Sequence, residues 1–179
     1  MQIRIYRNVW GLGPPRSNYP GAFLTGFVGK VRKRWWGKKR LWLFSGSFKD
    51  ADGVMVDINP EVKPSIVADC EHLPFKDEMF DFVLLDPPYS EEEAKKLYNM
   101  PYINILKVLN EAARVCKSGG YVLLLHRLVP CQHPEFNIHA KRLKLEAIIG
   151  IYAVGGMSNM RALTVWRKRT TLDDFGVIA

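Results

Sequence analysis

The apolar positions of this chain fall in short runs set off by charged or breaker-rich stretches. Leu41–Phe44, Val54–Val56, Ser65–Ala68, Phe80–Leu85 and Tyr121–Leu125 are near-continuous apolar runs. Such runs predict strands buried on both faces of a parallel sheet. Between and before them the spacing turns helical. Phe23, Phe27 and Val31 stand at i, i+4 and i+8, predicting a helix that starts near Phe23. Ser90 can cap a helix opening with Glu91, Glu92 and Glu93, where acids suit the dipole. A longer helix is expected over about 103–117, with Ile105, Leu109, Ala112 and Cys116 on one face and Gly119–Gly120 ending it. Glu146–Val154 and Ala162–Trp166 read as strands joined by a hairpin at Gly155–Asn159. Gln2–Tyr6 predicts a short strand, Gly11–Pro15 a loop, 128–139 a second loop, and 170–179 a frayed tail. Five strands with helical connections and a terminal hairpin give a doubly wound α/β sheet in which one strand runs antiparallel.

Length and composition narrow this. A chain of 179 residues, 47% hydrophobic and 25% charged, suits one globular domain. Three scattered cysteines, Cys70, Cys116 and Cys131, argue against a disulfide framework and for a reducing, cytoplasmic setting. No signal-peptide pattern precedes Arg7, and no apolar stretch approaches the ~18 residues of a membrane span. The net charge of +8 is lopsided. Residues 1–40 hold ten Lys/Arg and no acid, so the whole basic excess lies there. Lys30, Arg32, Lys33, Arg34, Lys38, Lys39 and Arg40 are therefore the expected nucleic-acid contacts. The alternative is a solvated face. Trp35–Trp36 among these cations would either stack on bases or lie buried.

The chemistry is expected where the Phe80–Leu85 strand stops. Pro87 and Pro88 cannot donate to a ladder, so the strand ends at Asp86. Asp86 and Tyr89 are then presented at a strand's carboxyl end, where open α/β sheets bind ligands. Asp57 and Asp69–Cys70 end two further strands in the same way, and Ser45–Gly46–Ser47 is a turn after the first. Cys131, His133 and His139 match no zinc spacing, so no metal is expected.

Asp86–Pro87–Pro88–Tyr89 after an apolar strand resembles motif IV of the S-adenosylmethionine-dependent amino-methyltransferases, most of all the N6-adenine DNA enzymes. The resemblance covers roughly residues 18–168. It implies the class I fold: a seven-stranded, mostly parallel, Rossmann-like sheet with an antiparallel C-terminal hairpin strand. It divides a single domain into a basic segment (1–40) with a motif X-like helix, a core (41–168) and a tail (169–179). Tyr19, Pro20 and Phe23 resemble motif X, whose aromatic contacts the cofactor; Phe23 is equally placed to be a core residue. Ser45, Gly46 and Ser47 resemble motif I, with one glycine where the family usually has two and Phe48 where the second is common. Asp57 and Ile58 stand where the family holds the ribose, and Asp69 and Cys70 where it reads the adenine. The family's acceptor pair is carried over onto the Asp86 carboxylate and the Pro87 carbonyl, with Pro88 and Tyr89 completing the tetrad and Tyr89 offering a stacking face to an extruded base. The expected activity is methyl transfer to an exocyclic amine, adenine N6 in DNA first. The alternatives are an RNA adenine-N6 or guanine-N2 enzyme, or an inactive binding module. The expected partner is nucleic acid, DNA ahead of RNA; with no ~80–100-residue recognition insertion, sequence choice is left to the basic segment, the loops at 90–102 and 127–142, a second subunit (a homodimer or specificity partner), or to none.

Overall fold

The structure is a computed structural model and describes residues 5–15, 22–130, 142–155 and 159–170. Its strands are β1 (Tyr6–Pro15), β2 (Leu24–Thr25), β3 (Arg40–Leu43), β4 (Gly53–Asp57), β5 (Ile66–Val67), β6 (Phe80–Leu85), β7 (Cys116–His126), β8 (Leu143–Ala153) and β9 (Arg161–Lys168). The helices are α1 (Phe27–Trp35), α2 (Glu91–Glu93, continued as a π turn through Tyr98) and α3 (Ile105–Val115). One nine-stranded sheet runs β2-β1-β8-β9-β7-β6-β3-β4-β5. From β8 to β5 it is the expected seven-stranded order. β9 is antiparallel to both β7 and β8, as the terminal hairpin requires.

The two additional strands correct the expected N-terminus. Gly11–Pro15 is not a loop: β1 pairs in parallel with β8 from Tyr6↔Ala147 to Leu12↔Ala153. Its glycines and prolines hide a period-two pattern in which Trp10 and Leu12 are buried and Val9 and Gly11 are exposed. The motif X-like helix also starts later. Gly26 turns left-handed at φ 89°, and α1 begins only at Phe27. Phe23 lies ahead of the helix and stacks on Phe27 at 5.0 Å.

Connections differ as well. β3 reaches β4 over residues 44–52 without a helix, β4 reaches β5 through one 3-10 turn at Pro60–Val62, and β5 reaches β6 without a helix. Among the described residues full helices cover the sheet at two places. Phe27, Val31 and Trp35 of α1 pack with Trp42, Phe82 and Leu84 on one face. Val108, Leu109, Ala112 and Ala113 of α3 pack with Leu41, Leu43, Val83 and Leu85 on the other. Alternate residues of β3 and β6 thus serve opposite layers, which is why both runs are continuously apolar. Gly119–Gly120 does not cap α3 but lies inside β7; position 120 needs glycine, since a Cβ there would meet the Cys116 sulfur at 2.8 Å and the Asp81 carbonyl at 2.9 Å.

Among the described residues no helix is long and apolar enough to cross a membrane. The expected 128–139 loop falls largely outside the described residues, as does most of the 169–179 tail.

Candidate active site

β3 and β6 are neighbours although β4 and β5 intervene in sequence. The chain reverses its build direction there, so a crevice opens at their carboxyl ends. Ser45 and Asp86 both line it. The crevice is a cleft of about 970 Å³ lined by Phe23, the Phe44–Phe48 turn, Asp57, Ile58, Asp69, Cys70 and Asp86. A second cavity of about 320 Å³ lies beyond, lined by Asp86, Pro87, Pro88, Tyr89, Glu93, Arg127 and Arg161 among others. Asp86 and Pro88 line both.

The turn after β3 is strained and polar. Phe44 takes a left-handed φ of 58°, unfavourable for so large a side chain, and Gly46 follows at 48°. Ser45 hydrogen-bonds the Val56 carbonyl through its backbone, but its buried Oγ has no partner among the described residues. An orphaned buried hydroxyl at a cleft wall calls for a ligand. The Asp57 carboxylate accepts from the Gly46 N–H (2.9 Å) and the Asn59 N–H (3.0 Å), one bond to each oxygen, leaving a lone pair on each. Ile58 beside it is exposed, an apolar surface offered to the cleft. Phe48, in place of a second glycine, lines the cleft and packs on the aromatic layer, 4.5 Å from Trp42 and 5.2 Å from Phe23. Phe23 packs against the core while lining the cleft.

Asp69 is exposed, and its carboxyl is held below the usual range chiefly by the Glu71 N–H. Burial pushes the Cys70 thiol up to about 12, so it is no nucleophile. Tyr19 and Pro20 lie outside the described residues.

Asp86 sits at the junction of the two cavities. Its Oδ1 accepts from the Tyr89 hydroxyl at 2.8 Å, and the Tyr89 hydroxyl accepts from Arg161 Nη1 at 3.3 Å. Burial raises the Asp86 carboxyl to about 7, against the pull of the Tyr89 hydroxyl and Arg161. Burial and the Asp86 charge also push the Tyr89 phenol up, so it stays protonated. The tetrad is braced on every side. Glu93 accepts from the Tyr89 N–H (3.0 Å) and pairs with Arg127 (2.7 Å), whose guanidinium lies over the Tyr89 ring at 5.3 Å. His126, fully buried, meets that ring edge-on at 5.4 Å.

Sequence reasoning missed Arg127, Arg161 and His126. It also missed Tyr98, Met100, Pro101 and Tyr102, which line the cleft from the end of the π turn and the segment after it. An aromatic, Asn, Met, Pro, aromatic run between two helices was the available signal for that segment.

The basic residues are placed apart from this site. Gly26, the residue before α1, and Gly29 within it touch the cleft, but the nine-residue helix, about 13 Å long, carries Arg32, Lys33 and Arg34 away from it. Lys38 and Lys39 adjoin the start of β6, where the Lys39 N–H meets Asp81. These cations flank the amino ends of the strands, opposite Asp86. Arg40 is a correction: it is buried, paired with Asp50 at 2.7 and 3.0 Å, and lies 4.5 Å over Trp36. Lys30 and Arg34 lie over the Trp10 ring. Trp35 is buried, and Trp36 packs on Trp42 and Phe82. Among the described residues no cluster could hold a metal; Cys131, His133 and His139 lie outside them.

Residues 50–124 match the family described as "Methyltransferase domain". No curated protein matches the chain. A Pyrococcus horikoshii protein shares the fold at 18% identity, over 80% of this chain and 88% of that one, with a TM-score of 0.52. The chain in complex with the Haloferax volcanii Trm112 methyltransferase activator aligns at 15% identity, over 80% and 89%, with a TM-score of 0.57. A SAM-dependent methyltransferase of Methanosarcina mazei aligns at 13%, over 78% and 97%, with a TM-score of 0.51. These likenesses show the Rossmann-like methyltransferase fold, and the family match over residues 50–124 implies S-adenosylmethionine as the cofactor.

Proposed function

We propose that this enzyme methylates an exocyclic amine of a nucleic-acid base, adenine N6 in DNA first. The observation that carries the reading is the position of Asp86, shared by the larger cleft and the smaller cavity. The larger cleft suits the cofactor. Asp57 keeps lone pairs for two ribose hydroxyls, Ile58 offers an apolar face, and the orphaned Ser45 Oγ offers a polar contact. S-adenosylmethionine supplies a methyl group made electrophilic by its sulfonium.

The chain's own work is done at the target nitrogen. An aromatic amino group delocalises its lone pair into the ring and is a poor nucleophile. The Asp86 carboxylate and the Pro87 carbonyl accept its two hydrogens, favouring a more pyramidal nitrogen whose lone pair can attack. Positioning and electrostatics then supply most of the rate. The smaller cavity takes the base against Tyr89. Arg127 already covers one face of that ring, so the base meets the other face or slides between the two. The basic end of α1 would hold phosphates outside the site, since it flanks the far ends of the strands.

The second reading is an RNA amine methyltransferase. It is favoured by the separation of the cations from Asp86, which a folded RNA bridges without a recognition domain. Labelled cofactor offered to DNA and RNA in parallel, with digestion to nucleosides, tests both. Label on N6-methyladenine in DNA supports the first reading. Label confined to RNA selects the second, and no label on either contradicts both.

A further inference from the structure

We propose that Arg161 is a positioning residue for the reaction at Asp86: it commits the Tyr89 hydroxyl proton to one carboxylate oxygen and leaves the other to the target amine. The proposal rests on the reading that Asp86 acts on the target nitrogen.

The argument begins with what each group can do. A guanidinium donates and never accepts, and a phenol has one proton. Arg161 Nη1 is 3.3 Å from the Tyr89 oxygen, so Tyr89 must accept there. Its single proton is then free to point only at Asp86 Oδ1, 2.8 Å away. No described residue donates to Oδ2. The chain Arg161–Tyr89–Asp86 is therefore polar in one sense only, and it fixes which carboxylate oxygen faces the substrate side.

The placement is built rather than incidental. Arg161 opens β9, the antiparallel strand, beside the end of β7, where His126 pairs with Ala162. It forms no ion pair among the described residues, whereas Arg127 in the same cavity is tied to Glu93. Arg161 is thus the guanidinium in this cavity left to act on the tetrad. The groups around Asp86 are Tyr89 from its own turn, Glu93 from α2, His126 and Arg127 from the end of β7, and Arg161 from β9. Burial and Glu93 favour the protonated acid; the Tyr89 hydroxyl and Arg161 favour the carboxylate. Removing Arg161 both frees the Tyr89 proton to turn and leaves the carboxylate less supported.

The test is Arg161→Met, with Arg161→Lys as a charge-retaining second variant should the first fail to fold. Carbon-13 NMR of aspartate-labelled protein reads the pH at which Asp86 ionises, without turnover. The midpoint should rise by about one pH unit in Arg161→Met. Turnover at pH 7 should fall about fivefold, following the lost carboxylate fraction, and recover toward wild type near pH 9. Arg161→Lys should fall between. An unchanged NMR midpoint, or a loss of turnover that is the same at every pH, overturns the proposal. An active Asp86→Ala enzyme would instead overturn the underlying reading, and the NMR midpoint separates the two failures.

Discussion

Replacing Asp86 by Asn should stabilise the fold while stopping the reaction. The Asp86 carboxyl is raised from 3.8 to about 7 by burial. Below about pH 4 the acid is protonated in both the folded and the unfolded chain, and the group has no effect on stability. Between about pH 4 and 7 the unfolded chain ionises and the folded one does not, so stability falls as pH rises. Above about 7 the full penalty is present, on the order of 4 kcal/mol. Asn mimics the neutral acid, and its amide oxygen can still accept from Tyr89. The variant should therefore match wild type near pH 4 and exceed it by up to about 4 kcal/mol at pH 8. For a domain of this size that is roughly 8–16 °C in Tm. Circular-dichroism melts of both proteins without cofactor, from pH 4 to 8.5, give the difference curve. A difference that does not grow between pH 4 and 7 would refute the buried, raised carboxyl. So would a variant less stable at pH 8.

Three further outcomes are expected. Asp57→Ala should weaken cofactor binding by about 1–3 kcal/mol, because the ribose hydroxyls lose their acceptor, and calorimetric titration with the demethylated cofactor checks it. Alanine at Arg32, Lys33 and Arg34 should weaken nucleic-acid binding and lower its salt slope by roughly 0.9 for each lost duplex phosphate contact; an unchanged slope leaves these cations a solvated face. Tyr89→Phe keeps the ring but removes the hydroxyl that joins Arg161 to Asp86. Its turnover should therefore fall at neutral pH and recover at high pH. Tyr89→Ala, which also loses about 1–3 kcal/mol of base stacking, should not recover.

The parts legible in the sequence were those set by local rules. β6 was read at its full extent because burial on both faces makes its residues continuously apolar and two prolines stop it. The three strand-ending acids followed from the same logic. β1 was not legible, since its glycines and prolines mask the alternation of Trp10 and Leu12, and only pairing with β8 reveals it. Helical crossovers were expected from the strand pattern, but the connections at 44–52 and 68–79 close without them. The brace around Tyr89 was invisible for a different reason. Arg161 is 72 residues from Tyr89, and no spacing rule reaches across that separation. Arg40 misled because its charge counts in the composition whether or not Asp50 buries it.

The central claim is that Asp86 acts on the target amine at the meeting point of two cavities. Single-turnover methylation by Asp86→Ala, with labelled cofactor and an adenine-containing DNA or RNA, tests it most directly. Cofactor affinity and melting temperature should be measured on the same sample. The account predicts a folded protein that binds cofactor and nucleic acid and transfers no methyl group. Transfer at a near wild-type rate would contradict it and put the chemistry elsewhere in the fold.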